Sequence, residues 1–372
     1  MSLLKRIMLI TLAIIGFLSL ASFAFLQHPK FGKLPSGERL ERIEKSPNFK
    51  DGSFKNLQHT PDLTEGATYY DVMKEFLFGG SARQKPVGKI PSMKTDLHAL
   101  APDENVLVWF GHSSYFMQID GKRILVDPVL HSSISPLGVG SSAFAGTEVY
   151  TAADIPEIDY LFISHDHWDH LDYEAMAELQ PKIKKVICGL GTGAHFEHWG
   201  YDTNIIVEKD WNEEIILDAG FRAYTIPARH FSGRALSRNN ALWTAYVLKT
   251  PTQQIFIGGD SGYDTVFKET GERFGPFDLA ILENGQYDKS WKYIHMMPDE
   301  VAQAAKDLGA KRLFPVHSSK FVLANHAWDE PLIKITEYSA GADFQLVTPM
   351  IGEQVFLKDT TQKFSQWWKG VK

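Results

Sequence analysis

The sequence predicts a mixed α/β fold in which two β-sheets pack face to face with helices on the outside. Three observations lead there. Short apolar runs recur along the chain in two halves, with helical patterns after several of them. At 372 residues, 44% hydrophobic and 22% charged, the chain can bury a sizeable core as one large domain or two ordinary ones. Histidines and aspartates also gather where the strand-like runs end, the place where a rigid sheet positions functional loops. The net charge of -7 speaks against a nucleic-acid partner, which calls for a basic face. The single cysteine, Cys188, excludes an intramolecular disulfide and a cysteine-based zinc site, and its context suits a buried strand residue.

Residues 1–27 stand apart. Lys5 and Arg6 precede a segment, Ile7 to Leu26, that carries no charge. At about 1.5 Å per residue it crosses a hydrocarbon core of roughly 30 Å. Secretory apolar regions are shorter, roughly 7 to 15 residues, so a transmembrane anchor is preferred to a cleaved signal. Ser22-Phe23-Ala24 nevertheless has the small-x-small form of a cleavage site. Lys30, Lys33, Arg39 and Arg42 follow the segment and oppose the orienting pull of Lys5 and Arg6. The reading adopted puts the main domain outside the cytoplasm, in the periplasm if the source is bacterial. Residues 28–102 are polar but keep their aromatics, and read as an extension wrapping the main domain, 103–372. Within the extension, Thr68 to Gly80 has the apolar spacing of a short amphipathic helix.

Strand signals follow in order. "NVLVWFG" precedes "SYFMQIDGKRILVDP", where Asp120-Gly121 between two apolar runs signals a tight hairpin, because both turn positions need positive φ. "IDYLFIS" reads as a buried strand, "YEAMAELQPKI" as a short helix stopped by Pro181, and "KKVICGL" as a strand running into a glycine-rich turn and a helix near "AHFEHWG". That turn, "GLGTGAH", lacks the lysine and the glycine spacing of a phosphate loop and reads as a plain strand-to-helix connection. Further strands are expected at "NIIVE", "EEIILDAGFRAYTIPA", "ALWTAYVLKT", "QQIFIGGD", "FDLAILENG", "KRLFPVH" and "EQVFLK". A helix from Pro298 to Leu308 opens on Pro-Asp-Glu and closes at Gly309, as capping preferences require, and another surrounds "EPLIKITEYSAG". Trp367-Trp368 suits either a membrane interface or, more commonly, packing against the body.

The chemistry concentrates in "FISHDHWDHLD". His165-x-His167-x-Asp169-His170 follows an apolar strand, and neutral imidazole with carboxylate is the donor set a divalent cation wants. His165 and His167, two apart, can converge on one ion, while Asp169 and His170 face a second. More donors stand at strand ends: His230 after "YTIPAR", Asp260 after "IFIGG", and His317 after "RLFPV". A lone histidine is more often a satisfied core or surface group. Three independent strand-end placements argue otherwise.

This order of donors resembles the metallo-β-lactamase superfamily of binuclear hydrolases. "WFGHSSYFMQIDGKRILVDPV", "IDYLFISHDHWDHLD", "GDSGY", "RFGPFDLAIL", "KYIHMMPDEV" and "PVHSSKFVLAN", spread from Asn105 to Leu357, further resemble the N-acylphosphatidylethanolamine-hydrolysing phospholipase D family and its bacterial relatives. The resemblance implies a metallo-β-lactamase-like αββα four-layer sandwich with the site along one edge. It implies two divalent ions, Zn2+ with Mn2+ or Fe2+ as alternatives: His165, His167 and His230 on the first, Asp169, His170 and His317 on the second, Asp260 bridging. It places Asp127 behind a ligand histidine, although an aspartate before Pro128 also suits a plain turn. His295 falls near a substrate phosphate, and His112 lies in a "GH" turn, either beside the site or in a structural hydrogen bond. Gly285 and Tyr287 match a loop beside the substrate. Glu283 and Asn284 depart from the apolar residues of the animal enzymes, which bears on substrate preference.

The implied activity is a phosphodiesterase of the phospholipase D type, acting on N-acylphosphatidylethanolamine-like phospholipids with Asp169, Asp260 and His295 in catalysis. Two ions lower the pKa of a bridging water from about 15.7 towards neutrality and stabilise charge on the non-bridging oxygens. His295, with an ordinary pKa near 6.5, suits a hydrogen bond to the phosphoryl group or protonation of the departing alkoxide. The alternative is a lactonase or small phosphoester hydrolase of the ascorbate-6-phosphate lactonase type, with a small phosphorylated substrate in place of a phospholipid. A scaffold with a vestigial site is disfavoured, because all seven donor positions are filled. No feature of the residues specifies an oligomeric state.

Overall fold

The computed structural model describes residues 2–371 apart from 82, 139, 140 and 235; the outermost residues of the two end segments, 1 and 372, lie outside that range. Its centre is a pair of seven-stranded sheets. The first contains β1 (Val106–Trp109), β2 (Tyr115–Ile119), β3 (Lys122–Val126), β4 (Tyr160–Ile163), β5 (Val186–Gly189) and β6 (Ile206–Lys209). The second contains β7 (Glu214–Asp218), β8 (Phe221–Pro227), β9 (Thr244–Lys249), β10 (Gln254–Ile257), β11 (Leu279–Glu283), β12 (Arg312–Val316) and β13 (Gln345–Leu346). The last strand, β14 (Gln354–Phe356), returns to the free edge of the first sheet beside β1. Each sheet is half antiparallel and half parallel: β3 to β6 run parallel, as do β10 to β13.

Local chemistry explains these elements. Asp120 and Gly121 join β2 to β3 with φ of 50° and 79°, the two positive angles that a tight hairpin needs. "EEIILDAGFRAYTIPA" is not one strand but a hairpin, β7 and β8, turned at Ala219-Gly220, where Gly220 takes φ 83°. Along β7, Ile215 and Leu217 point inward and the residues between them face solvent, the period of two expected of an edge strand. β1, β2 and β4 are buried on both faces because each is covered by the opposing sheet on one side and by helices or loops on the other.

Three apolar clusters define four layers. Leu107, Met117, Phe162, Tyr246, Ile257 and Phe314 meet between the sheets. Helices α4 (Tyr173–Leu179) and α5 (Gly193–His198) cover the first sheet through Met176 and Phe196. Helices α6 (Val266–Phe274) and α7 (Pro298–Asp307) cover the second through Phe267, Val301 and Ala305, with α8 (Glu330–Tyr338) adding Ile335. The sandwich is therefore αββα. Trp367 and Trp368 are buried in the inter-sheet cluster, so packing and not a membrane interface accounts for that pair.

The N-terminal part adds α1 (Leu3–Leu26), α2 (Glu38–Glu44), a two-strand ribbon (Phe49–Lys50 with Ser53–Phe54) and α3 (Tyr69–Phe78). Helix α1 is apolar, long enough to cross a membrane and has no buried residue. Residues 28–102 lie along the sandwich: Arg39 pairs with Glu208 at 2.7 Å, Asn48 with Asp210 at 2.8 Å, and Asn56 donates to the His230 carbonyl at 2.8 Å. Helix α3 begins at Thr68, whose hydroxyl accepts from the Asp71 amide.

Candidate metal centre

Every donor singled out above stands just beyond a strand or in the loop that follows it. Asp127 follows β3, His165 follows β4, His230 follows β8, Asp260 follows β10 and His317 follows β12. β8, β10 and β12 point the same way, so their ends share one edge of the sandwich. Backbone strain gathers there as well: His112, Asp127 and His317 take φ of 52°, 40° and 67°, angles that non-glycine residues hold only when their surroundings demand it.

The donor atoms form two groups. His165 Nε2 and His167 Nδ1 are 2.8 Å apart, and His230 Nε2 is 3.2 Å from the same His167 nitrogen. Nitrogens about 2.0–2.1 Å from a tetrahedral cation lie roughly 3.3 Å from one another, so this trio is close to that geometry. In the second group, Asp260 Oδ2 is 3.2 Å from His170 Nε2 and 3.3 Å from His317 Nε2, while Asp169 Oδ2 is 3.5 Å from His170 Nε2. The same Asp260 oxygen lies 3.8 and 3.9 Å from His230 and His165, so it faces both groups.

The outer nitrogens are fixed from behind. Asp127 Oδ2 receives His170 Nδ1 at 2.8 Å and the Ser164 hydroxyl at 2.6 Å, and its Oδ1 receives the Ser164 amide at 2.8 Å. Ser113 Oγ meets His317 Nδ1 at 2.9 Å, and the Ile294 carbonyl accepts from His230 Nδ1 at 2.9 Å. His112 Nε2 contacts Asp169 Oδ2 at 2.8 Å from a fully buried position. These contacts set the ring orientations, as metal sites require. They leave His170 Nε2 and His317 Nε2 buried without a hydrogen-bond partner, both turned toward Asp260 Oδ2, and orphaned ring nitrogens facing a buried carboxylate are what a cation satisfies. The residues fit a divalent ion.

Protonation follows from burial. His165, His230 and His317 are held well below the ordinary imidazole value by burial and by neighbouring rings, and His167 falls to about 4, so all four offer lone pairs. Burial opposes charge on His170, but Asp260, Asp169 and Asp127 outweigh it and hold its pKa well above the ordinary value. Burial likewise lifts Asp260 to about 6.

A cavity of about 310 Å³ opens above the donors, walled by Leu63, Tyr69, Phe231, Trp291, Ile294 and Leu323. His295 reaches it with Nδ1 held by Glu283 Oε2 at 2.6 Å, and Glu283 Oε1 accepts the Met296 amide at 2.7 Å. The loop expected beside the substrate is placed differently. Gly285 packs on the His317 backbone, where a Cβ would come within 2.3 Å of the His317 carbonyl oxygen. Tyr287 does not line the cavity; its hydroxyl bonds Glu330 at 3.1 Å and its ring stacks on His326, because the positive φ of Gln286 turns the chain and puts Gln286 on the wall instead. Glu283 and Asn284 are buried away from the wall, so Glu283 touches the cavity only through His295.

Several supporting residues escaped the sequence reading. Asp166, between the first two histidines, binds His195 at 3.2 Å and the Gly233 amide at 2.6 Å. Arg234, fully buried, donates to the carbonyls of Asp166 (2.9 Å), Leu171 (2.5 Å) and Lys30 (2.9 Å), and packs on Trp168. Asp166 stands inside the quoted motif, but its partners, His195 from α5 and the Gly233 amide, come from far along the chain.

Residues 122–318 match the model of the β-lactamase superfamily domain. An uncharacterised protein of Mycobacterium tuberculosis is 35% identical over 88% of this chain and 88% of its own length. An N-acyl-phosphatidylethanolamine-hydrolysing phospholipase D of Caenorhabditis elegans is 30% identical over 77% of this chain and 84% of its own. Among solved structures, a metallo hydrolase of the archaeon Ignicoccus hospitalis superposes with a TM-score of 0.53 at 18% identity, covering 68% of this chain and 98% of that one, a likeness of fold.

Proposed function

The chain belongs to the metallo-β-lactamase superfamily and is a metal-dependent hydrolase; from that premise we propose a binuclear phosphodiesterase of the phospholipase D type, held at a membrane by α1 and cleaving N-acylphosphatidylethanolamine-like phospholipids. The observation that carries this reading is the pairing of two imidazole–carboxylate groups, sharing Asp260, with a cavity whose walls are largely apolar. A phosphodiester needs the first and an acyl chain suits the second. His165, His167 and His230 would hold one ion, Asp169, His170 and His317 the other, zinc being the ion that such donors most commonly take. When bound, the pair supplies a Lewis acid for phosphoryl oxygens and lowers the pKa of water.

The chain's own groups divide the remaining work. Asp127, Ser113 and the Ile294 carbonyl keep the ligand rings from rotating. Burial pushes the Glu283 carboxyl up and His295 down. That combination favours a carboxylic acid donating to Nδ1 and leaves the ring proton on Nε2, the nitrogen available to the cavity. There it can hydrogen-bond a phosphoryl oxygen or pass to the departing alkoxide. Arg238, on the cavity wall and paired with Asp62 at 3.1 Å, offers its remaining guanidinium N–H groups to an anionic headgroup.

The test is product analysis with the full-length protein in mixed micelles, loaded with zinc or manganese. Phosphatidic acid and N-acylethanolamine, formed by the intact protein and not by Asp260→Asn, are the expected products. Turnover of a small phosphorylated lactone with no cleavage of the phospholipid would replace this reading by the lactonase alternative.

A further inference from the structure

We propose that the rim of the metal cavity is a bilayer-docking surface, formed by α3 and residues 236–238, so that the cavity opens directly onto lipid. The inference rests on reading α1 as a membrane anchor and goes further, by naming the surface that meets the membrane.

Helix α3 is the starting point. None of its residues is buried, and Tyr70, Met73, Phe76, Leu77 and Phe78 are 73, 60, 51, 63 and 84% exposed. A helix of this length is marginal in water on propensity alone and normally persists by burying an apolar face. Here Tyr69, Met73, Phe76 and Leu77, spaced as i, i+4, i+7 and i+8, share one exposed face, a patch that marks an interaction surface on a soluble body.

Its position ties it to the cavity. The segment is pinned on one side by Thr64, whose amide donates to the Ser290 carbonyl at 2.7 Å, and on the other by Ser81, whose amide donates to the Asn325 carbonyl at 3.0 Å. Trp291 and Leu323, next to those two pins, line the cavity. At its start, the Tyr69 hydroxyl donates to Asp62 at 2.9 Å, and Asp62 also pairs with Arg238 at 3.1 Å; all three residues belong to the cavity wall. Helix α3 therefore lies along the mouth.

Continuity with the anchor selects lipid as the occupant. Arg238 belongs to the loop that carries Leu236, which is 86% exposed. Four residues before Arg238, Arg234 grips the Lys30 carbonyl, a few residues beyond the end of α1. Phe31 packs edge-on against Trp168 at 5.4 Å, within the metal-ligand motif itself. The rim is thus tied, through the buried Arg234 and Phe31, to the exit of a 24-residue apolar helix. Lys33 and Lys74 are exposed along the same path and suit anionic headgroups. Amphipathic elements with aromatic and basic residues settle at the headgroup–acyl boundary.

The test uses the full-length chain in phosphatidylcholine–phosphatidylglycerol vesicles, with an environment-sensitive fluorophore on single cysteines at Phe78, Leu236, Ile14 and Ala219. Cys188 is buried and stays unlabelled. Ala219 serves as the control because the β7–β8 turn lies at the opposite end of β8 from His230. Quenching by nitroxide lipids at positions 78 and 236, several-fold stronger than at 219, is the expected result, and Phe76→Glu/Leu77→Glu should reduce it to the level of the control. No excess over 219, with strong quenching at 14, would overturn the docking surface and keep the anchor. Absence of quenching at all four positions would overturn both. Shielding of 78 from aqueous iodide without lipid quenching would assign the face to a second copy of the chain and overturn the proposal. None of these readings needs a substrate, so failure of the phospholipase reading is seen separately.

Discussion

Replacing Asp127 by asparagine changes almost no volume but should cost the metal centre a large part of its affinity. The native carboxylate accepts three hydrogen bonds: from His170 Nδ1 and the Ser164 hydroxyl on one oxygen, and from the Ser164 amide on the other. An asparagine amide group turned either way sets an N–H against a donor. Facing His170, it forces the imidazole proton from Nδ1 to Nε2 and so blocks the nitrogen that would bind the ion. Facing Ser164, it leaves a buried backbone N–H unpaired. Loss of such a supporting carboxylate lowers metal affinity by about tenfold to a hundredfold, or about 1.4 to 2.7 kcal/mol. Competition with a chromogenic chelator at neutral pH, on protein whose circular dichroism matches the parent, reads this directly. An Asp127→Asn protein that binds zinc within twofold of the parent would refute the argument that Asp127 orients His170.

Three further predictions follow from the same geometry. The folded pKa of Asp260 is raised to about 6, above its ordinary 3.8, so its ionisation costs the metal-free protein stability as pH rises between those values; relative to Asp260→Asn, thermal unfolding in chelator should show that loss, whereas zinc affinity of the parent should rise through the same window because the bridging carboxylate must first lose its proton. Glu283→Gln keeps an acceptor for the Met296 amide and an N–H donor for His295 Nδ1, so it should hold the same ring tautomer with kcat near the parent value, whereas Glu283→Leu removes both bonds and kcat should fall by about tenfold or more with KM little changed in steady-state assays. Arg234→Met removes a buried guanidinium that satisfies three carbonyls, and chemical denaturation should register a loss of about 3 kcal/mol together with weaker zinc retention.

What could be read in the sequence was whatever depends on one strand at a time. His165, His230, Asp260 and His317 each follow an apolar run, and Asp120-Gly121 announces its hairpin from two residues. Helix α3 was legible from Thr68 and the apolar spacing behind it. Helix α6 was not, because Thr270 and Gly271 lower its propensity; Gly271 is there for packing, since a Cβ would come within 2.0 Å of the Asp307 carbonyl oxygen of α7. The contacts that orient the site were hidden for a different reason. Ser113 lies 204 residues from His317, and Arg234 lies 204 from Lys30, so only the folded sheet ends reveal them. Tyr287 shows the opposite error: the match of its loop to one beside the substrate in the resembled family suggested a place at the cavity, and the left-handed Gln286 turned it away.

The grip of Arg234 on Lys30 has a mechanical side. A tether with slack lets its cargo tumble, so that an opening faces every direction in turn. Here a single guanidinium clasps the carbonyl just past the apolar helix and, with its other nitrogen, the carbonyls that begin and end the metal-ligand loop. On the proposal that α1 lies in a bilayer and the substrate is a lipid, the leash itself would set the heading of the cavity mouth, and the search for substrate would be reduced from three dimensions to sliding in a plane.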